Sequence, residues 1–356
     1  MHEGKIVRLF TGAHTPDGFR SFGGEALRDM ERVFIIEGAP GCGQGAIIGL
    51  AARSMAERGY DVEVWPGTIS ADMPAGVVIP RLGAAVIDGT MMQGDEPQYP
   101  GVRDEIIDLG EYWNRRQLRR HAAEIRALTD DVAAGLRRIY ARMAECDAVR
   151  RGRDDAAAAI TEGELQNICR ALAEEIFGGQ HLQVRRFFSG AVGMDGWQST
   201  AQELSAVCRR RWLIYGASAD SVAAALEEMQ RQAVNRGHNV DLYYSCWRPD
   251  KLDMVVLPGI SAALVDSSLP DLEPRPDDRL IKLNELPEET LAAEDDWEEC
   301  WQQQLDAAVA ETEAAYQVYE RLAGYYRSAI DAERLEGAAR ALLEELWSMA
   351  AEREQE

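Results

Sequence analysis

The sequence predicts an α/β protein in which one structural unit occurs twice, each copy with a mainly parallel sheet and a helical segment after it. Three observations lead to this fold class. Short apolar runs alternate with glycine-containing turns and helical stretches in the first part of the chain. An offset of 178 residues then repeats the same turns, caps and strands, for example from Gly18 to Gly196. Finally, apolar residues at helical spacing follow each copy.

The first copy is predicted to alternate strands and helices over residues 1–112. A short strand ends at Phe10, a Pro-Asp-Gly turn follows Thr15, and a helix runs to about Met30. The next strand leads into a glycine-rich loop and a helix through Glu57, which Gly59 ends as a C-terminal cap. The remaining predicted strands are Tyr60–Trp65, Gly76–Ile79, Ala84–Ile87 and Asp104–Leu109.

The second copy reproduces the turns, caps and strands of the first. The offset of 178 residues pairs Gly38 with Gly216, Val62 with Val240, Pro80 with Pro258 and Asp88 with Asp266. A slightly shorter offset pairs the segment that begins at Asp104 with the one that begins at Asp278. The predicted domains are a first α/β unit at 1–112, a first helical arm at 113–182, a second α/β unit at 183–286 and a second helical arm at 287–356.

Each predicted arm carries an apolar stripe at spacings of three, four and seven residues, which is typical of a helix that packs along one face. The first stripe consists of Leu118, Ile125, Leu128, Val132, Leu136, Ile139 and Met143. The second consists of Leu305, Val309, Thr312, Tyr316, Tyr319, Leu322, Tyr326 and Ile330. We interpret both as the cores of helical hairpins.

The two arms differ in charge, because residues 114–153 hold eleven arginines against five acids and residues 285–356 hold twenty acids against five arginines. Two interpretations are open. Each charged run is a solvated helix face, or the basic arm lies against the acidic arm, within the chain or across a homodimer. Under the second interpretation the arms are the predicted contact surface, for a protein partner or for a second copy of the chain.

The composition limits the function classes. A net charge of −23 argues against sequence-independent nucleic-acid binding, which needs an excess of cations. No apolar run approaches the roughly 20 residues of a membrane span, so we expect a cytoplasmic protein without membrane contact. The six cysteines lack the spacing of a zinc site or a disulfide framework and are expected to be reduced thiols.

The glycine-rich loop after the strand at Val33–Ile36 is the main candidate site. The Walker A pattern G-x-x-x-x-G-K-[ST] places its glycines at Gly38 and Gly43, but Gln44 stands at the lysine position and Gly45 at the hydroxyl position. A loop of this kind wraps a phosphate with backbone N–H groups at a helix N-terminus. The residues expected to line it are Gly38, Pro40, Gly41, Cys42, Gly43, Gln44, Gly45 and Ala46.

The missing groups weaken the predicted chemistry. The charged hydrogen bond that Gln44 cannot make contributes roughly 1.5–3 kcal/mol, so affinity for ATP or another nucleoside triphosphate should fall on the order of ten- to a hundredfold. Hydrolysis should suffer more, because Gly45 has no oxygen to hold Mg²⁺. In the second copy only Gly216 remains of the loop glycines and Asp220 stands inside the loop, so this second loop is expected to be empty.

Two further residues have competing interpretations. Asp88 and Asp266 both end apolar strands, where a Walker B acid binds Mg²⁺ or where a carboxylate caps the following turn. Since Asp266 persists beside the degenerate loop, capping accounts for both. Cys42 lies just ahead of a helix, which favours a reactive thiol, although a small buried cysteine also fits this position.

The layout resembles an uncharacterised family of bacterial cytoplasmic proteins, regarded as ATPases, that carry two tandem P-loop domains, each followed by a helical segment. The resemblance covers nearly the whole chain and implies a nucleotide-binding fold. Active-looking members carry G-x-P-G-x-G-K-[ST], of which this chain keeps Gly38, Pro40, Gly41 and Gly43 in the first copy. The matching segments are 15–19, 34–43, 57–63, 77–80, 86–90 and 104–111 in the first copy and 236–240, Cys246 and 251–255 in the second.

The sequence therefore supports two main functional hypotheses. One is a P-loop NTPase-like protein whose first unit binds a nucleotide weakly and hydrolyses it weakly or not at all. The alternative is a scaffold or regulatory protein that binds no nucleotide and acts through its helical arms. A phosphotransferase is a third possibility, but no acceptor base is identifiable for it.

Overall fold

A computed structural model of the protein describes residues 3–68, 70, 72–92, 97–156, 160–176, 183–216, 218–269, 272–283 and 294–354. The chain folds into two compact α/β units. The first comprises Met1–Gly12, Ser21–Arg138 and Ala310–Glu356, and the second comprises Ala13–Arg20 and Ile139–Val309. Among the described residues, no helix combines the length and the apolar character that a bilayer span requires.

The first unit contains a six-stranded mixed sheet in the order β1-β5-β6-β7-β4-β8. Its strands are β1 (Ile6–Arg8), β4 (Arg32–Glu37), β5 (Val62–Pro66), β6 (Pro74–Ile79), β7 (Ala84–Asp88) and β8 (Asp104–Asp108). Only β6 runs antiparallel to its neighbours. The four central residues of β4 are all buried, as expected for an inner strand that is covered on both faces.

Helix α2 (Gln44–Glu57) follows β4 and packs on this sheet. It ends as the sequence predicts, because Gly59 adopts a positive φ of 87° and donates its N–H to the carbonyl of Ala56. A very short helix α1 (Gly23–Ala26) precedes β4, where the sequence predicted a helix reaching about Met30. Segment 23–30 is glycine-rich at its start and too short to sustain further turns.

The C-terminal helix α9 (Ala332–Arg353) covers the same face of the first sheet. Its buried side chains Leu342 and Leu346 join the core that α2 builds with the sheet. Trp347 donates its indole N–H to the Ser54 hydroxyl at 3.0 Å, and the Arg58 guanidinium lies 4.2 Å from the centre of the Trp347 ring.

The second unit has a six-stranded mixed sheet in the order β9-β13-β14-β15-β12-β16. Its strands are β9 (Val184–Phe188), β12 (Arg210–Tyr215), β13 (Val240–Tyr244), β14 (Leu252–Leu257), β15 (Ala262–Asp266) and β16 (Arg279–Lys282), of which β14 alone is antiparallel to its neighbours. Helices α5 (Glu162–Ile176) and α7 (Ala219–Asn235) contribute to one core with this sheet, in which Leu172 and Leu226 are buried. A short helix α6 (Ala201–Ala206) precedes β12 in the chain.

The two sheets have the same strand order, with the antiparallel strand at the same place. Corresponding strands begin 178 residues apart, for instance Ile6 and Val184, Val62 and Val240, or Ala84 and Ala262. A two-stranded sheet also occurs in each half, formed by β2 (Gly12–Thr15) with β3 (Gly18–Ser21) and by β10 (Gly190–Gly193) with β11 (Gly196–Ser199). This correspondence is what the repeat in the sequence leads one to expect.

The helical segments do not pack in chain order. Helix α5, from the predicted first arm, packs in the second unit, and α9, from the predicted second arm, packs in the first unit. The predicted boundaries follow the sequence repeat, whereas the compact units follow the burial of apolar faces, which need a partner helix whatever its place in the chain.

Two long helices, α4 (Ala122–Ala156) and α8 (Glu294–Ala329), contribute to both units. In the first unit they pass closely at Gly135, where an added Cβ atom would lie 3.0 Å from the Cβ of Ala315. Arg138 and Glu311 form an ion pair there at 2.8 Å. In the second unit the Arg150 guanidinium lies 5.1 Å from the centre of the Trp301 ring.

Candidate functional site

The candidate loop connects β4 to α2 at the carboxyl end of the first sheet. In open α/β sheets, ligands bind at this end, where neighbouring strands connect to opposite sides. Strand β4 lies between β7 and β8, and the loop follows its carboxyl end. Gly41 and Gly43 adopt positive φ angles of 78° and 102°, which glycine tolerates best, so the predicted glycine-dependent loop is present.

Gln44, at the lysine position, turns back into the loop. Its side chain is buried, and its Nε2 donates a hydrogen bond to the carbonyl of Ala39 at 3.2 Å. A Cβ atom on Gly38 would lie 3.1 Å from the same nitrogen. The amide therefore closes the loop on itself as a neutral group, and it supplies no positive charge for a phosphate.

Gly45, at the hydroxyl position, lies against the backbone. An added Cβ atom there would lie 3.2 Å from the carbonyl oxygen of Pro74, which is a tight contact. A serine or threonine at this position therefore requires a small shift of the strand that begins at Pro74.

The outer side of the loop is covered by the C-terminal helices of the first unit. A Cβ atom on Gly41 would lie 2.7 Å from both the Cβ and the carbonyl oxygen of Ala323 in α8. A Cβ atom on Gly43 would lie 3.1 Å from the Cδ2 of Leu335 in α9. The two glycines thus allow these helices to approach the loop more closely than any side chain would permit.

The turn between α8 and α9 is bonded to the segment that follows β8. The N–H of Asn114 donates to the carbonyl of Ala329 at 2.7 Å, and the N–H of Asp331 donates to the carbonyl of Tyr112 at 3.0 Å. The Arg334 guanidinium adds a hydrogen bond to the carbonyl of Glu111 at 3.0 Å. These bonds hold the helical hairpin in place over the loop.

Cys42 is fully buried within this arrangement. Burial raises the pKa of the Cys42 thiol, although the hydrogen bond that the Trp113 indole N–H donates to its sulfur at 3.1 Å acts in the opposite sense. Of the two interpretations from the sequence, the buried thiol agrees with this setting, because a reactive cysteine needs a lowered pKa and access. Trp113 also contacts Tyr326 of α8, with ring centres 5.3 Å apart.

Asp88 caps the turn after β7. Its Oδ1 accepts hydrogen bonds from the Thr90 N–H at 3.0 Å and the Thr90 hydroxyl at 2.8 Å. Asp266 accepts the same two bonds from Ser268 at 2.8 and 2.7 Å. Burial raises the pKa of both carboxyl groups. The described part of the chain holds no group of three or more histidine, cysteine, aspartate or glutamate side chains suited to a metal ion.

The corresponding loop of the second unit has a charged residue in the first turn of α7. The Asp220 carboxylate pairs with the Arg248 guanidinium at 3.1 Å and with the Lys251 ammonium group at 3.6 Å. Ser218 caps the helix by accepting a hydrogen bond from the N–H of Ser221. The two cations near this helix N-terminus are thus already paired with a carboxylate of the chain itself, which leaves less positive charge for a bound anion. The expectation of an empty loop stays a prediction.

A cleft of about 460 Å³ opens beside the first loop. It lies at the carboxyl ends of β4 and β8 and is lined by Glu37, Gly38, Ala39, Ile106, Asp108 and Trp113. Glu37 and Asp108 are register partners on these two parallel strands. The Glu37 carboxylate lies against Gly89, just after β7, and the Asp108 carboxylate accepts a hydrogen bond from the N–H of Gly110 at 2.7 Å. Trp113 supplies an aromatic wall.

Sequence reasoning did not single out Glu37, Asp108 or Trp113. All three residues lie at or just after the end of a strand. This position indicates a shared cleft only once β4 and β8 are known to be neighbours in the sheet. Comparisons of the chain with protein-family models, with curated proteins and with solved structures return no match. What the protein does is therefore inferred from its own loop, cleft and helices.

Proposed function

We propose that the protein is a P-loop-like scaffold whose first loop holds a helical hairpin in place of a nucleotide, and which has lost ATP hydrolysis. One observation carries this proposal. The glycines that would wrap a phosphate, Gly41 and Gly43, are in contact with Ala323 and Leu335 of the chain's own helices. The strand, loop and helix at the carboxyl end of a mainly parallel sheet support a P-loop-like origin.

The chemistry of the loop supports the loss of hydrolysis. Phosphoryl transfer depends on a cation at the β- and γ-phosphates and on a metal held by the loop hydroxyl. Gln44 is neutral and satisfied by Ala39, and Gly45 has no oxygen to offer. The carboxylates of Glu37 and Asp108 add negative charge at the neighbouring cleft, which further disfavours a polyphosphate.

The second candidate is weak nucleotide binding in the first unit. The cleft favours it, because the aromatic wall of Trp113 suits the flat ring of a base and a carboxylate in the lining suits its amino groups. Under this alternative the phosphates would lie on the loop with an affinity lower by the ten- to hundredfold estimated for the missing lysine. Cover by α8 and α9 would lower the affinity further, because the hairpin would have to move.

A thermal-shift titration with ATP and Mg²⁺ separates the two candidates. The scaffold predicts no rise in melting temperature at millimolar ATP, since a ligand stabilises only the folded state that binds it. A rise that is absent in Gly43→Asp, with each variant compared with its own ligand-free baseline, would establish weak binding and overturn the scaffold.

ATPase assays of Gln44→Lys and of Gln44→Lys with Gly45→Ser complete this test. Under the scaffold proposal neither variant turns over ATP, because the hairpin still covers the loop. Restored turnover in the double variant would show that only these two side chains had been lost. The single variant is the matched control, because a side chain at Gly45 must also displace the Pro74 carbonyl.

A further inference from the structure

An unusual basic surface lies just beyond the cleft. Helix α3 (Arg115–Arg120) has the sequence Arg-Arg-Gln-Leu-Arg-Arg, and all four arginines are exposed. Among the described residues, none of these four guanidinium groups has an ion-pair partner, although the chain as a whole carries a net charge of −23. We call the four residues Arg115, Arg116, Arg119 and Arg120 the arginine face.

Helix α3, which carries the arginine face, is anchored by hydrogen bonds to the rest of the first unit. Asn114 caps α3 by accepting a hydrogen bond from the N–H of Gln117 at 3.1 Å. The Gln117 amide in turn donates to the carbonyl and the hydroxyl of Ser328, at 3.1 and 3.2 Å, near the end of α8. The helix backbone is therefore fixed before binding, and only the four arginine side chains have to be ordered by a partner.

The complementary charge lies on α9 of the same unit. Glu333 and Glu336 are exposed in its first turns, and neither has an ion-pair partner among the described residues. Arg340, one turn beyond Glu336 on the same side of the helix, is also exposed and ends the acidic surface. We call Glu333 and Glu336 the glutamate face. Its helix and α3 start at one point, since Trp113 and Ile330 form an antiparallel bridge just before them.

We propose that the arginine face binds the glutamate face of a second copy of this chain, in a two-fold symmetric dimer. Because both faces begin at the same point of the first unit, a two-fold axis there would bring each arginine face onto the partner's glutamate face. A two-fold contact is reciprocal, so every pairing occurs twice. Guanidinium and carboxylate groups suit such a contact because they form two parallel hydrogen bonds.

The same charges account for partner choice. Two approaching copies repel each other through their net charge of −23, but this repulsion is screened beyond about 8 Å at physiological ionic strength. Only locally complementary surfaces then attract. A nucleic acid is the less fitting partner, because the chain as a whole carries a net charge of −23 and the arginine face carries no aromatic side chain for base stacking.

A second copy of the chain would be the binding partner of the proposed scaffold, so this inference rests on the proposed function. Its experiment measures association, which the ATP titration leaves untouched, so either can fail alone. Sedimentation equilibrium of the full chain at about 0.1 M salt should show a monomer–dimer equilibrium that weakens at higher salt, because screening shortens the reach of the contact.

Charge reversal provides the decisive variants. Arg119→Glu with Arg120→Glu, and separately Glu333→Arg with Glu336→Arg, should each weaken the dimer at least about tenfold, since like charges then face each other. An equimolar mixture of the two variants should recover the dimer, because one contact then pairs the two reversed faces and the other pairs two unchanged faces. Arg170→Glu with Arg209→Glu is the matched control, since both arginines are exposed and lie in the second unit.

The proposal is overturned if the wild type is monomeric at about 0.1 M salt, or if it forms a dimer that both reversals leave unchanged. It is also overturned if the mixture stays monomeric. Binding of a homopolymeric RNA by a monomeric wild type, lost on reversal of Arg119 and Arg120, would assign the arginine face to nucleic acid instead.

Discussion

Single residues show how the two units stabilise the same turn with different side chains. The carboxylate at the start of the edge strand is Asp104, the first residue of β8, in the first unit and Asp278, just before β16, in the second. Asp104 is paired by its neighbour Arg103, whereas Asp278 binds Arg211, which lies in the inner strand β12 and is almost fully buried. Burial alone would raise the pKa of Asp278, but hydrogen bonds from Arg211 and Arg275 lower it to about 2.

Replacement of Asp278 by alanine should therefore be costly. It leaves the Arg211 guanidinium buried without its bidentate partner, and the loss of one member of a buried ion pair typically costs about 3–5 kcal/mol. Urea unfolding measures this change. Asp277→Ala is the control. The Asp277 carboxylate is exposed, so its removal should lower the free energy of unfolding by less than about 1 kcal/mol. Equal effects of the two substitutions would contradict the account.

A second buried carboxylate has a raised pKa, whereas that of Asp278 is lowered, and it should make the stability of the fold depend on pH. Asp253 is buried and accepts a hydrogen bond from the Ser189 hydroxyl at 2.5 Å. Burial raises its pKa from 3.8 to about 6 in the folded protein. The folded state then binds more protons than the unfolded state between these values, so stability falls as pH rises from about 4 to about 6.

Asp253→Asn tests this dependence, because it keeps a polar group near Ser189 and removes the titration. The free energy of unfolding of the wild type should fall across this pH range by on the order of 3 kcal/mol more than that of the variant. Chemical denaturation at several pH values supplies the measurement. Parallel curves for the two proteins would refute the assignment.

At the scale of elements, the loop and the hairpin depend on each other. The loop glycines are needed less for a ligand than for the approach of α8 and α9. The hairpin in turn supplies Leu342 and Leu346 to the core over α2. A substitution in the loop should therefore lower the free energy of unfolding of the protein.

Gly41→Ala measures this coupling. The substitution meets two costs, a positive φ of 78° and a contact with Ala323, whereas Gly101→Ala meets only the first, because Gly101 has a φ of 73° and open space around it. Overpacking typically costs about 1–3 kcal/mol, which is the expected excess of the first substitution over the second in denaturant unfolding. Equal losses would mean that the hairpin does not rest on the loop.

Much of the element structure was predictable from the sequence. Strand β4, helix α2 with its Gly59 cap and the strands of both copies follow from local patterns of apolar residues, glycine and proline. The helix predicted to reach about Met30 was too long. The cleft was not predictable, because Glu37, Asp108 and Trp113 are distant in sequence until β8 pairs with β4.

For the whole molecule, the repeat predicted the shared strand order but could not assign helices to sheets. Both α5 and α9 have an apolar face, and this pattern does not specify which of two similar sheets each helix covers. That choice is visible only in the folded chain, where α5 packs in the second unit and α9 in the first. The cover of the first loop by α8 and α9 follows from that choice, so the sequence alone left nucleotide binding open.

The central claim, that the first loop holds the hairpin and not a nucleotide, is tested most directly by amide hydrogen exchange of the loop with and without ATP and Mg²⁺. Backbone amides of Gly41 and Gly43 should be protected in the free protein, because Ala323 and Leu335 cover these two residues. Millimolar ATP should leave that protection unchanged. Amides that exchange freely alone and become protected when ATP is added would contradict the account.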